Sequence, residues 1–542
     1  MKNILKFLSF LALIAVMCLA FIFVLEKTDP WGRRDQPLAA EFVETERGHL
    51  RFTWEKLPYP CRYRVETFSK TTGRVEDAPE YHLLETATTR ENSYDVSTGA
   101  IPMFYRVTAY GLFGQLTEAS KPVANPNYHE PPQPVTITHY TPSHPASAMP
   151  FLVWHAVPDA VCYEVELLSE PPQSEGGTEL SKNGHLESTR EVFTNGWQAD
   201  LRKYQKYTQL YYRVRALGLH LGAIGEWSEA EPITIDWTAP TPDAPLINDF
   251  DRMPNFSMPI YPVYSWIPLH GIAHYEVELM TEPTTADDEN NQAPLPYRVW
   301  HRVVDSAANC YDEYARPYAG DYYWRVRAVD AKGNTIGHYS DTAHFVMPEH
   351  EYVKAAMFGD SITHGGGAVS YPPSALEYSY ATYLDFPAVN LGRSGDTSKT
   401  TLARFEEDVV PMHPANLLIL TGTNSLRDAT ISANDVIKDL ARIKALCEEH
   451  DIRPIFLTLM PIHPGNIRFA FHTDTDPSWR DKMNHINAYI KAQPYFIDLE
   501  PYFYDETKTV LDTRLSIDGL HPDIQGKMLM GEIINLHQGE LQ

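Results

Sequence analysis

Apolar residues run from Phe7 to Leu25 for 19 positions with Ser9 the only polar one, behind Lys2 and Lys6. As a helix this run spans about 30 Å, the thickness of a bilayer core. It exceeds the ~7–15-residue core of a cleavable signal. Cys18-Leu19-Ala20, the nearest small-residue site, is followed by more apolar residues. The pattern predicts an uncleaved transmembrane anchor within residues 1–30, with secretion after signal cleavage as the alternative. The flanking lysines then leave the rest of the chain outside the cytoplasm, a cell-membrane protein with an extracytoplasmic body.

From residue 40 the period changes to two. WEKLPYPCRYRVE, WHAVPDAVCYEVE and WIPLHGIAHYEVE begin at Trp54, Trp154 and Trp266, and each has a tyrosine nine residues on. The alternation after the tyrosine marks a half-buried strand. Each repeat carries a later aromatic-Arg-Val strand: FYRVTAY, YYRVRAL and YYWRVRAV. Proline-bearing joints, NPNYHEPPQPV and WTAPTPDAP, separate the repeats. The early Trp, the Y-x-V strand and the later Y-x-V-x-A strand together resemble fibronectin type III modules. That resemblance implies three all-β, seven-stranded sandwiches over about 40–125, 133–237 and 240–347. They are read as spacer or scaffold, with glycan or protein contacts a further option. Trp197 and Trp227 are the candidates for sugar stacking, against the commoner role of tryptophan as core.

Beyond residue 350 strands alternate with helices. YVKAAMF, NLLILTGT and IRPIFLTLMPI read as buried strands, and ANDVIKDLARIKALCEEH as a helix with Ile437, Leu440, Ile443 and Leu446 on one face. This alternation predicts an α/β domain over 350–542 with a parallel sheet between helices. Active sites of such folds lie beyond the carboxyl ends of the strands.

Composition narrows the functions. A net charge of −26 argues against nucleic acid as a partner and disfavours anionic lipid headgroups. The five cysteines are dispersed, with no C-x-x-C, so they read as free thiols and not as a disulfide scaffold or metal site. His364, His413, His463 and His472 show no ligand spacing.

The strand-end blocks carry the candidate chemistry. A serine hydroxyl needs a base to take its proton, a third group to orient that base, and donors for the oxyanion. Ser361 follows a strand in Gly359-Asp360-Ser361-Ile362. NLGRSGDTS supplies Gly392, LTGTNS supplies Asn424, and Asp518-Gly519-Leu520-His521 places a carboxylate three residues before a histidine. Each block also has a plain structural reading: Ser361 or Asn424 as a helix cap, Gly392 in a tight turn, His521-Pro522 as a turn. Asp360 reads as support for its turn.

The four blocks, in this order, resemble the GDSL, or SGNH, hydrolase superfamily. The resemblance implies a three-layer, flavodoxin-like α/β domain without metal or cofactor. It implies Ser361 as nucleophile, His521 as general base and acid, and Asp518 as its orienting carboxylate. The N–H groups of Ser361 and Gly392 and the Asn424 amide would form the oxyanion hole. The third block departs from the common G-x-N-D in having Ser425. Tyr371, Tyr378 and Tyr380 are candidates for sugar stacking or packing, and PIHPGNIRFAFHTDTDPSW for a lid. The expected function is a serine esterase releasing O-acetyl or other short acyl groups from a cell-surface polysaccharide. A lysophospholipase, lipase or thioesterase, or an adhesion scaffold with a vestigial hydrolase, are the alternatives.

Overall fold

The computed structural model describes residues 2–540, except 29–35, 46–49, 60, 72–79, 97–103, 127–133, 159, 174–178, 252–257, 286–287, 289–293, 306–307, 350–352 and 368–374. The side chains of residues 2–11, 69–71 and 80–82 are likewise outside the described set. A helix spans Lys2–Thr28, so part of the expected anchor lies outside the described side chains. Among the described residues no helix is long and apolar enough to cross a membrane.

Three antiparallel β-units follow, each with a small and a larger sheet. The larger sheets share one order. It is Glu80–Thr89, Arg62–Thr71, Phe104–Tyr110, Leu116–Ala119 in the first unit. In the second it is His185–Val192, Cys162–Leu168, Gln209–Leu217, Glu231–Thr234, and in the third Arg298–Val304, His274–Met280, Gly320–Val329, Thr335–Tyr339. The described residues hold eight, six and eight strands in the three units.

The repeated residues make repeated contacts. Trp54, Trp154 and Trp266 lie against Tyr63, Tyr163 and Tyr275 with ring centroids 5.2, 5.2 and 5.3 Å apart. The three tyrosine hydroxyls accept from the N–H groups of Leu57, Val157 and Leu269 at 3.1, 2.8 and 2.9 Å. On the opposite face, Arg106, Arg213 and Arg325 pair with Glu66, Glu166 and Glu278 at 2.7, 2.6 and 2.8 Å. A one-residue slip would turn each of these charges into the apolar face, so the buried pairs help to fix strand register. Trp227 is fully buried beneath Arg213 and Arg215, which removes it as a sugar platform. Trp197 packs, half-buried, on the core of the second unit.

The parallel sheet has the order Val389–Gly392, Ala355–Gly359, Asn416–Leu420, Arg453–Leu457, Phe496–Ile497. Ala355–Gly359 and Asn416–Leu420 are buried at every position, as expected for strands covered on both faces. Numbered along this domain, the order is 2-1-3-4-5, the flavodoxin-like arrangement, whose switch point lies where the first strand ends. Ser361 stands there. The helix Ala433–Glu449 starts at a Ser432–Asp435 capping box and buries Leu440, Ile443 and Leu446.

The β-units do not act as a spacer alone; the first folds back onto the α/β domain. Phe68 and Phe104 pack with Tyr378, Ile524 and Met528. Arg106 sits between Glu66 and Glu532, and Thr108 Oγ1 donates to Glu532 at 2.5 Å.

Candidate active site

Ser361 opens the short helix Ser361–His364, but it is not its cap. That role belongs to Asp360, whose carboxylate accepts from Ile362 N–H at 3.1 Å. The Ser361 hydroxyl is therefore left for His521, whose Nε2 lies 2.9 Å from Oγ. Asp518 Oδ2 is 2.8 Å from His521 Nδ1. A carboxylate only accepts, so Nδ1 carries the proton and Nε2 is the acceptor for the serine hydroxyl.

Asp518 is fully buried. Its Oδ1 accepts from Leu520 N–H and His521 N–H, both at 2.7 Å, and from Ser516 Oγ at 3.3 Å. Burial alone raises its pKa, but the His521 charge and these donors outweigh burial and hold the carboxyl below its usual range. Phe471 meets the His521 ring edge-on at 5.8 Å.

Beneath the nucleophile lies a buried charged layer. Burial raises Asp360 to about 6 and lowers Lys527 to about 7. Lys527 Nζ donates to the Ile362 carbonyl at 2.5 Å, capping the helix from below. His364 closes the same helix; burial keeps it neutral, its pKa lowered to about 4.

The N–H of Gly392, expected as an oxyanion donor, is already bonded within its own block. Gly392 is buried, and its N–H donates to Asn390 Oδ1 at 2.9 Å. A Cβ there would lie 2.2 Å from His364 N, so this glycine permits the close approach of helix and strand. Gly395 is the exposed glycine of the same block, at φ +86° with open space around its Cα, in the turn closed by Asp396 N–H to the Arg393 carbonyl. Asn424 Nδ2 grips that turn, donating to the Asp396 carbonyl at 2.9 Å. One amide hydrogen is committed there, and Arg427 donates to Asn424 Oδ1 at 3.5 Å, fixing the amide orientation.

Both further expectations are revised. Tyr378 and Tyr380 are buried packing residues, and Tyr371 lies outside the described residues. The lid segment contains the helix Pro464–Phe471, capped by His463 and tied to the His521 loop by His463 N–H to the Gly519 carbonyl at 2.8 Å. Asn466 Nδ2 adds a bond to the Ile517 carbonyl at 2.8 Å. The segment is thus bonded at two points to the loop that carries His521. His413 and His472 are left-handed residues at helix ends.

A strand-end serine bonded to an Asp-x-x-His pair has the geometry of a hydrolytic triad, and the family comparison supports an ester-hydrolysing enzyme. Residues 357–529 match the model of the GDSL-like Lipase/Acylhydrolase family, which supports a GDSL/SGNH hydrolase domain in this part of the chain. The chain is 27% identical over 207 residues to an acetylxylan esterase of Geobacillus stearothermophilus, covering 33% of this chain and 90% of that one. It is 31% identical over 127 residues to an uncharacterized lipoprotein of Bacillus subtilis, spanning 21% of this chain and about half (51%) of that protein. Among solved structures, a lipase/acylhydrolase from Enterococcus faecalis matches at 22% identity and TM-score 0.29, covering 34% of this chain and 95% of that one.

Proposed function

We propose that residues 350–542 act as a serine esterase that removes O-acetyl or other short acyl groups from a polysaccharide. The observation that carries this reading is the unbroken hydrogen-bond chain from Ser361 Oγ through His521 to buried Asp518. Ser361 attacks the ester carbonyl while His521 Nε2 takes its proton. Asp518 stabilises the imidazolium that forms. Developing charge on the carbonyl oxygen meets the Ser361 N–H, the second Asn424 amide hydrogen and the Gly395 N–H, which replaces Gly392 in this role. Each such donor contributes about 3 kcal/mol in acyl-transfer sites. His521 then protonates the leaving alcohol, and water, deprotonated by the same imidazole, releases the acyl group.

The short-acyl, polysaccharide assignment draws support from the acetylxylan esterase relative, whose length is matched almost throughout. The β-units are read as fibronectin type III-like scaffolding, and the N-terminal helix as an anchor holding the enzyme outside the cytoplasm. Mass spectrometry of the mature N-terminus tests the anchor: a start near residue 21 overturns it.

Purified protein assayed on p-nitrophenyl esters from acetate to palmitate, and on acetylated xylan, tests the activity. Turnover selective for acetate and lost in Ser361→Ala is expected. A preference for long chains overturns the short-acyl reading in favour of a lipase. No turnover on any substrate overturns the esterase.

A further inference from the structure

One residue of the third β-unit reaches the machinery around Ser361. Tyr261 precedes Pro262, which disfavours the helical region at this residue. Its neighbours are pinned within their own unit by Arg316 N–H to the Ile260 carbonyl at 2.6 Å and Asp312 N–H to the Pro262 carbonyl at 2.9 Å. Tyr261 itself is only 3% exposed, and its polar groups go to the hydrolase domain. Its carbonyl accepts from His364 Nε2–H at 2.8 Å, and its hydroxyl donates to Asp408 Oδ2 at 2.7 Å. Its ring lies beside the Arg393 and Arg404 guanidiniums, 5.5 and 5.4 Å from its centroid.

Each of these partners leads to the reaction centre. His364 belongs to the helix that begins with Ser361, and its Nδ1 accepts from Ser394 N–H at 3.1 Å. That acceptor role puts the ring proton on Nε2, facing the Tyr261 carbonyl. Ser394 lies in the Arg393–Asp396 turn, which carries Gly395 and is gripped by Asn424. Arg393 and Arg404 both pair with Asp396, at 2.7 and 2.6 Å. Arg404 also donates to the carbonyls of Gly359 and Leu391 at 2.8 and 2.7 Å, next to the two strand ends that present the nucleophile and the turn. The ring of Tyr311, also from the third unit, sits edge-on to His364 at 6.1 Å.

We propose that the third β-unit is an integral part of the catalytic centre. Tyr261, acting through His364 and the Arg393–Asp396–Arg404 cluster, sets the distance between the nucleophile helix and the oxyanion turn. Tyr261 and His364 are positioning residues and touch no substrate. The inference rests on Ser361 being the nucleophile. It adds that the hydrolase domain depends on a residue outside the segment that defines its family.

The test uses the full chain, with kcat, KM, fluorophosphonate labelling rate and thermal midpoint measured together. In His364→Asn the amide reaches Ser394 but not Tyr261; in His364→Gln it reaches the Tyr261 carbonyl. His364→Asn is expected to lower kcat and labelling rate about 100-fold with KM held within about two-fold, the loss typical of a reacting group displaced by ~1 Å. His364→Gln is expected to stay within about ten-fold of wild type. Tyr261→Ala is expected to match His364→Asn, and the double variant to be no worse than the poorer single, because both act on one contact. Equal kcat for the two His364 variants overturns the proposal, as do fully multiplicative losses at Tyr261 and His364. A wild-type chain that neither turns over esters nor labels, or a fully active Ser361→Ala, overturns the underlying esterase reading and this inference with it. An active wild type with an inactive Ser361→Ala and unimpaired His364→Asn overturns the inference alone.

Discussion

Replacing Asp518 by asparagine changes one atom in a buried site, and the structure fixes what that atom does. Oδ1 of Asp518 accepts two backbone N–H groups at 2.7 Å, so the asparagine carbonyl is held at that position. The amide nitrogen must then take the place of Oδ2, which faces His521 Nδ1 at 2.8 Å. Two donors cannot share that contact. His521 has to present a bare Nδ1 to the amide, which moves its proton to Nε2, and Nε2 can no longer accept from Ser361 Oγ. Asp518 is inaccessible to solvent, so no water offers the new amide an alternative partner. The wrong tautomer in a Ser-His-Asp arrangement costs about 10⁴-fold in kcat, on the order of 5 kcal/mol. We therefore expect kcat on p-nitrophenyl acetate at neutral pH to fall by about 10³–10⁴-fold, with KM and the thermal midpoint little changed. Combined with His521→Ala, it should bring the total loss no further than His521→Ala alone, since the two act as a unit. A variant within ten-fold of wild type would refute the tautomer argument.

Three other outcomes follow from the packing. Gly392→Ala drives a Cβ to 2.2 Å from His364 N and is expected to destabilise the hydrolase domain by about 3 kcal/mol or more, whereas Gly395→Ala, with open space for its Cβ but at φ +86°, should cost only about 1–2 kcal/mol, fold, and lose kcat because the strain turns its N–H away from the oxyanion; equal urea midpoints for the two would contradict this. Arg325→Met leaves buried Glu278 with only its 3.4 Å contact to Arg298 and should cost about 3 kcal/mol, while Arg325→Met with Glu278→Met should recover most of it, read by urea denaturation. Lys527 titrates near 7 in the folded chain against 10.5 for a free lysine, so between those values the unfolded chain binds more protons and stability rises with pH. Lys527→Met should remove about 2 kcal/mol of the gain in stability between pH 7 and 9; unchanged slopes would refute it.

The reliance of the site on distant parts of the chain explains which features are legible in the sequence. Ser361, Asn424, Asp518 and His521 stand directly after strands or in a short local block, so strand periodicity and spacing find them. The Trp-Tyr pairs are legible for the same reason, being nine residues apart in all three repeats. The choice between Gly392 and Gly395 is not: both lie in NLGRSGDTS, and only the Asn390 contact and the positive φ separate them. Nothing local marks Tyr261 as a partner of His364, 103 residues away, or Thr108 as a partner of Glu532, 424 residues away. Burial likewise turns Trp227, Tyr378 and Tyr380 from candidate sugar platforms into core. The segment from Pro461 to Trp479 suggests a lid because it is long for a connection, His463, Pro464 and Gly465 included. In the fold they form the start of a capped helix.

The most direct test of the account is to locate the nucleophile chemically. The full chain is treated with a fluorophosphonate, digested and sequenced by tandem mass spectrometry, beside Ser361→Ala and His521→Ala. The account predicts a single phosphonyl adduct on Ser361, absent from Ser361→Ala and formed far more slowly in His521→Ala. An adduct on another residue, or labelling of Ser361 that proceeds at the wild-type rate without His521, would contradict it.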